Sequence, residues 1–173
     1  MEEKVGKWLP KYVGLRTIKT ALAVILSALF TVFVLKDIPF FACIGAVVAM
    51  EKTIEESRRA AFIRNLGTLG GGIIGMIFSQ ISSNSIFLGL GVIPIIVLKN
   101  ILNKQETIVP ACIVYFAVVY LNTSETATSY GLRRIIETFI GTLIAIAINY
   151  LIFRPEKSKA EKKEGEEIDT AST

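Results

Sequence analysis

Residues 65–98 read NLGTLGGGIIGMIFSQISSNSIFLGLGVIPIIVL and contain no charged side chain. Four further stretches are uncharged or hold a single charge, namely residues 17–35, 38–50, 107–122 and 138–153. The chain is 173 residues long, 52% hydrophobic and 20% charged, so its charges are concentrated between the apolar stretches. Because about 20 helical residues cross a bilayer core of about 30 Å, this pattern predicts a polytopic membrane protein and excludes a disordered or ordinary soluble chain.

The predicted fold is all-α, a transmembrane bundle of about six helices. The helices are expected at residues 17–35, 38–50, 63–81, 86–102, 107–121 and 132–153. The second is too short to span a bilayer alone, so it is either shielded by its neighbours or extended into the polar residues 51–57. The expected domains are a cytoplasmic segment at 1–13, a transmembrane domain at 14–155, and a charged, disordered cytoplasmic tail at 156–173.

Lysine and arginine are distributed unevenly between the two sides of the predicted bundle. With the amino terminus inside, the opposite side holds only Lys36, Arg133 and Arg134. The cytoplasmic side then holds Lys4, Lys7, Lys11, Arg16, Lys52, Arg58, Arg59, Arg64, Lys99, Lys104, Arg154, Lys157, Lys159, Lys162 and Lys163. This bias predicts a multi-pass protein of the inner or plasma membrane with both termini in the cytoplasm.

The composition also excludes several kinds of site. The chain has no histidine, which removes histidine-based zinc sites and catalytic triads. Cys43 and Cys112 both lie in apolar stretches, where they are expected to be buried rather than to form a disulfide or metal site. The net charge of +4 comes from residues that flank apolar helices, so it indicates the lipid bilayer rather than nucleic acid as the partner. No catalytic residue, metal or cofactor is predicted.

A short frame, arginine followed four residues later by threonine, occurs at the start of three predicted helices. Positions i and i+4 share a helix face, so each frame presents a cation and a hydroxyl to the same neighbour. The third copy falls on the opposite side of the membrane from the others, which is compatible with an inverted arrangement. The three copies are Arg16 and Thr20, Arg64 and Thr68, and Arg134 and Thr138.

Two charges lie about one turn inside apolar helices. Lys19 has a long stem and is interpreted either as an interfacial anchor or as a residue of the transport path. Glu137 is shorter and reaches the interface poorly, so it is expected to be paired or to face a pore. Its candidate partners on charge are Arg133, Arg134 and Arg16.

Small residues recur at spacing four in two helices. Gly67, Gly71 and Gly75 are expected to let two helix backbones approach closely, with local unwinding at residues 70–72 as the alternative. Gly141 begins a similar pattern in the last helix, where Asn149 is expected to form an interhelical hydrogen bond.

These residues resemble a known family, the aromatic acid exporters, which are similar to fusaric acid resistance proteins of the FUSC superfamily. The resemblance covers residues 14–155 in the family's order. It rests on residues 14–21, 39–46, 50–53 and 64–68, together with Ser57, Gly71, Gly75, Arg134, Thr138, Gly141 and Asn149.

The resemblance implies a helical bundle that forms a dimer or higher homo-oligomer and exports aromatic carboxylates or other small organic anions. The substrate path is then expected at Arg16, Lys19, Thr20, Arg64, Thr68, Arg134, Glu137 and Thr138. If export is coupled to protons, Glu137 is the natural proton carrier, whereas a channel needs no such group. A scaffold that docks a partner through the cytoplasmic tail is the alternative function, and an enzyme is not expected.

Overall fold

The chain is helical throughout the part that this computed structural model describes, residues 14–121 and 126–152. We number its helices α1 (Leu15–Phe30), α2 (Phe40–Ala49), α3 (Ile54–Ile81), α4 (Ser85–Leu90), α5 (Val92–Ile101), α6 (Ile108–Tyr120) and α7 (Ala127–Ile152). A π-helical turn, Thr31–Leu35, continues α1, and a 3₁₀ turn, Gln105–Thr107, precedes α6. The predicted all-α class is confirmed. The predicted segment 1–13 and tail 156–173 lie outside the described residues.

Two predicted helix starts are wrong, and the helix predicted at 86–102 is divided at Gly91 into α4 and α5. The third helix begins at Ile54 rather than 63, because Thr53 and Glu56 form a capping box. The Thr53 hydroxyl accepts a hydrogen bond from the Glu56 backbone N–H at 3.1 Å, and the Glu56 carboxylate accepts one from the Thr53 N–H at 3.2 Å. Helix α2 therefore ends at Ala49 and does not extend through residues 51–57. The last helix begins at Ala127 rather than 132.

Within the described ranges, three helical stretches are long and apolar enough to cross a membrane. They are Arg16–Leu35, Ile54–Ile81 and Ala127–Ile152. The other apolar helical stretches are shorter, at Phe40–Ala49, Ser85–Ile101 and Gln105–Tyr120. The second helix is thus as short as the sequence predicts.

Both ends of the described chain lie at one end of the bundle, which we call the near end. The Lys19 ammonium donates to the Asn149 side-chain oxygen at 3.3 Å, which joins the start of α1 to the last turns of α7. The Asn149 amide donates to Ser57 at 2.8 Å, which brings the start of α3 to the same place. The connection between α1 and α2 lies toward the opposite end, the far end, where Asp37 contacts Arg134 of α7.

The two short helices α2 and α6 begin beside the middle of the two long helices α7 and α3. The Ala42 carbonyl, in the first turn of α2, lies against Gly141 near the middle of α7. Helix α2 then runs to the near end, where its last residues pack with Ile148. Pro110, in the first turn of α6, lies against Gly67 near the middle of α3, and α6 runs to the far end beside Gly75.

These contacts form an inverted internal repeat. Gly71, seven residues after Arg64, lies against the carbonyl of Ala111, which begins the tripeptide Ala-Cys-Ile at 111–113. Gly141, seven residues after Arg134, lies against the carbonyl of Ala42, which begins the same tripeptide at 42–44. Because α2 and α6 run to opposite ends of the bundle, the two halves have opposite orientations, as inverted repeats in transporters do.

The frame at Arg16 does not belong to this repeat. Arg16 lies in the first turn of α1 and is half exposed, and its guanidinium pairs with Glu51 at 2.9 Å. Thr20 is partly exposed on the next turn and donates to the Arg16 carbonyl. The repeat therefore has two copies, centred on Arg64 and Arg134.

Candidate functional site

Arg64 is a buried cation near the middle of the longest helix, the 28-residue α3. The sequence places it at a helix end, and the earlier start of α3 corrects this. Only 3% of Arg64 is exposed, so its guanidinium does not reach the surface of the bundle. Its Nε and Nη2 have no hydrogen-bond partner among the described residues, and neither does the Thr68 hydroxyl one turn along the same face.

The two atoms of Arg64 without partners define what this side chain can bind. Nε and Nη2 carry parallel N–H groups on one edge of the planar guanidinium. A carboxylate accepts from both through its two oxygens, a bidentate arrangement that combines charge with fixed geometry. Leaving a buried charged group without a hydrogen-bond partner costs more free energy than leaving a buried neutral group without one. The free edge of Arg64 is therefore suited to one carboxylate.

Helix N-termini add to the positive charge that the Arg64 guanidinium brings to this part of the bundle. The first turns of α2 and α6 lie beside the middle of the long helices, at Gly141 and Gly67. A helix N-terminus carries a partial positive charge, and broken or short helices of transporters point such ends at anionic substrate groups near the bilayer midplane. Arg64 lies one turn from Gly67, so it shares this level of the bundle.

Arg134 occupies the equivalent position in α7 and is paired with two acids. Its Nη2 lies 2.9 Å from Oδ2 of Asp37 and 3.0 Å from Oε1 of Glu137. The first contact is a hydrogen bond, whereas the second is an ion pair without hydrogen-bond geometry. Its guanidinium carbon lies 5.3 Å from the centre of the Phe41 ring and 4.7 Å from that of Tyr130, both within cation–π range. We call Arg134, Asp37 and Glu137 the far-end cluster.

Asp37 belongs to the short connection between α1 and α2. It follows Lys36, whose left-handed φ of 54° is unfavourable for a residue with a side chain. Burial alone raises the pKa of Asp37, but a hydrogen bond from the Ile38 N–H at 2.7 Å and the charge of Arg134 outweigh it. The pKa of Asp37 therefore lies below its ordinary value, and the carboxylate remains charged at neutral pH.

The predicted path residues are not brought together in one place. Arg64 and Thr68 share the middle of α3, and Arg134, Glu137 and Thr138 share one face of α7. Lys19 is buried near the near end and bonded to Asn149, while Arg16 and Thr20 lie at the edge of the bundle. Of the candidate partners of Glu137, Arg134 forms the ion pair that the structure shows.

The glycine ladder of α3 faces α6. A Cβ on Gly67 would lie 2.6 Å from Pro110, and one on Gly71 would overlap the Ala111 carbonyl. Helix α3 stays α-helical through residues 70–72, so the alternative of local unwinding there is wrong. Asn149 forms interhelical hydrogen bonds to α1, to α3 and to the connection before α3.

The sequence reasoning missed Asp37 and Glu106. Each acid lies five residues before an Ala-Cys-Ile tripeptide and shortly before a short helix. The repeated tripeptide was the signal that could have found them, because it aligns the two halves independently of the arginine frame. Glu106 pairs with Arg59 of α3 at 2.7 Å.

Comparisons with known proteins identify a family and several sequence relatives. The sequence profile of the family described as aromatic acid exporter family member 1 matches residues 11–152. A UPF0421 protein of Staphylococcus saprophyticus is 29% identical over 151 residues, which cover 86% of this chain and 45% of that protein. A UPF0421 protein of Oceanobacillus iheyensis is 27% identical over 152 residues, with 87% and 43% covered. The chain thus spans about half the length of these curated relatives. No solved structure matches it.

Proposed function

Because the chain belongs to the aromatic acid exporter family, we propose that it exports small organic anions, aromatic carboxylates in particular, across a cell membrane. The observation that carries this proposal is the buried edge of Arg64. Arg64 lies at the start of the uncharged stretch of α3, and a buried cation whose free edge has no partner is costly. Such residues are retained in membrane proteins where they serve a substrate or ion path. The edge is complementary to a carboxylate, and both short helices begin at its level.

We further propose that the near end faces the cytoplasm. Within the described residues, Arg58, Arg59 and Lys104 lie toward this end, and positive charges favour the cytoplasmic side. Both ends of the described chain then lie on the cytoplasmic side, which is the orientation expected from the distribution of lysine and arginine. The path is enclosed by at least two copies of the chain, or by a longer protein, since the seven helices of the described residues, four of them 13 residues or shorter, make a thin bundle.

Flux measurements test the proposal. Purified protein in liposomes is expected to release labelled hydroxybenzoate with saturable kinetics. Replacing Arg64→Met removes two charge-assisted hydrogen bonds, each worth about 1.5–3 kcal/mol, so flux at low substrate should fall at least about tenfold. Arg58→Met is the matched control, because Arg58 is an exposed arginine on the same helix, and it should transport like wild type.

Two results would refute the proposal. In the first, folded wild-type protein moves none of a panel of aromatic and aliphatic carboxylates. In the second, the Arg64→Met and Arg58→Met variants transport equally well, which removes Arg64 from the path.

A further inference from the structure

The two halves of the inverted repeat place one acid in equivalent positions. Asp37 precedes Ala42 by five residues, and Glu106 precedes Ala111 by five residues. Ala42 and Ala111 make the same contact in opposite halves, each against the glycine that follows a repeat arginine by seven residues. The symmetry therefore matches Asp37 and Arg134 with Glu106 and Arg64.

The equivalent acids have different partners. Asp37 is bound to its repeat arginine, with Oδ2 at 2.9 Å from Arg134. Glu106 is bound instead to Arg59, an exposed residue near the start of α3, while the free edge of Arg64 has no partner among the described residues. In the half that contains Asp37, the acid thus forms an ion pair with its repeat arginine. In the other half, the equivalent pair of Glu106 and Arg64 is not formed.

The cavities beside these two acids differ in volume. The cavity at Glu106 has a volume of about 420 Å³, and its lining includes Arg59, Ile63 and Thr107. The cavity at Asp37 has a volume of only about 110 Å³ and is lined by Leu35, Asp37, Arg133, Ile136 and Glu137. Each cavity thus lies beside one of the two matched acids, and the larger cavity is beside Glu106, the acid that is not paired with its repeat arginine.

We infer that Glu106 is the gating carboxylate of Arg64, and that the protein has a second conformation in which Glu106 pairs with Arg64 while Asp37 leaves Arg134. This inference rests on the proposed function, because it assigns the two arginines as carboxylate sites that are used alternately. The structure is then the state in which Asp37 closes the far end, while the near-end cavity extends as far as Ile63, the residue before the buried Arg64.

The exchange keeps each buried arginine paired. An uncompensated buried charge is costly, so Arg64 holds a substrate carboxylate when the near end is open and Glu106 when it is closed. Arg134 holds Asp37 and Glu137 in the first state, and in the second it keeps Glu137 while the position of Asp37 becomes available to a substrate carboxylate. Internal acids and substrate thus compete for the same two guanidinium groups. The Arg59–Glu106 pair is exposed and contributes little, so Glu106 is released from it at low cost.

Labelling of single cysteines tests the inference without a substrate. In a Cys43→Ala, Cys112→Ala background, Leu35→Cys reports on the far-end cavity and Ile63→Cys on the near-end cavity. The purified full chain is placed in lipid nanodiscs, and the labelling rate with a water-soluble maleimide is measured. Ser83→Cys, in an exposed turn outside both cavities, is the reference.

The expected result is reciprocal. Asp37→Asn weakens only the closed far end, so labelling of Leu35→Cys should rise roughly threefold while that of Ile63→Cys falls. Glu106→Gln weakens the second conformation, so labelling of Leu35→Cys should fall below that of the unsubstituted background. The reference should not change. Shifts in the same direction at both reporters, or no shift, would overturn the inference.

This result is separable from the flux result. Reciprocal labelling without hydroxybenzoate flux keeps the gate and rejects the proposed substrate. Saturable flux without reciprocal labelling keeps the proposed function and rejects Glu106 as a gate.

Discussion

Replacement of Arg64 by methionine should stabilise the fold while it abolishes transport. Arg64 lies at the start of the uncharged stretch of α3 with 3% of its surface exposed, so its charge is shielded from solvent by the bundle. An arginine at the centre of a membrane helix costs about 2.5–3.5 kcal/mol on the insertion scale, and the cost is lower for Arg64 at the start of the apolar stretch. Methionine fills a similar length of space without charge. We expect the Arg64→Met variant to be more stable than wild type by about 2 kcal/mol.

The change in stability on addition of hydroxybenzoate should also distinguish wild type from the Arg64→Met variant. Bound ligand stabilises a folded protein by about 2.7 kcal/mol at one hundred times its Kd. Hydroxybenzoate should therefore raise the stability of wild type toward that of the Arg64→Met variant and leave the variant itself unchanged. Arg58→Met, which removes an exposed arginine, should match wild type with and without hydroxybenzoate.

The assay is unfolding of purified protein in detergent micelles, followed by circular dichroism during heating or titration with a denaturing detergent. A destabilised Arg64→Met variant would mean that Arg64 holds the bundle together through contacts of its own. That result would contradict the reasoning, since a structural arginine needs partners that the described residues do not provide for its free edge. An equal response of both proteins to hydroxybenzoate would refute it as well.

Four further measurements test other parts of the structure. Gly71→Ala should destabilise the bundle by about 1–3 kcal/mol because the new methyl group meets a backbone carbonyl, whereas Gly89→Ala, with open space around it, should be neutral in the same unfolding assay. Asn149→Leu should cost about 1–3 kcal/mol by leaving its buried partners without hydrogen bonds, and a wild-type unfolding curve would contradict this. The lowered pKa of Asp37 contributes stability above its ordinary value of 3.8 that is lost as pH falls through the lower folded value, so Asp37→Asn should flatten the acid limb of a stability-against-pH curve. Glu137→Gln should weaken the dependence of flux on a pH gradient if Glu137 carries protons, and an unchanged dependence would exclude it from coupling.

The existence of the helices could be predicted from the sequence, but two of their starts could not be read from charge alone. Long uncharged stretches identify apolar helices directly, and they also reveal that the second helix is short. Charge alone places the start of α3 at residue 63, where the apolar stretch begins, whereas the helix itself begins at Ile54 among polar residues. The capping box at Thr53 and Glu56 was a local signal for the true start of α3.

The arginines of the candidate site could be predicted from the sequence, whereas two of the acids, Asp37 and Glu106, were missed. The arginine frame identifies Arg64 and Arg134 as a repeated pair, whereas its copy at Arg16 pairs with Glu51 at the edge of the bundle. Asp37 and Glu106 look like ordinary loop acids until the helices are paired in space. Their roles depend on contacts between distant parts of the chain, which local sequence patterns do not specify.

The packing of α2 against α7, two helices that are far apart in the sequence, has a consequence for biosynthesis. Helix α2 leaves the ribosome before α7, yet the glycine that receives its first turn, Gly141, lies in α7. At ten residues, α2 is also too short to cross a bilayer by itself. The early part of the chain must therefore wait in the membrane, incompletely packed, until synthesis of α7 is finished. Polypeptides truncated before α7 are expected to be recognised by quality-control proteases, since they expose a helix that no other segment can receive.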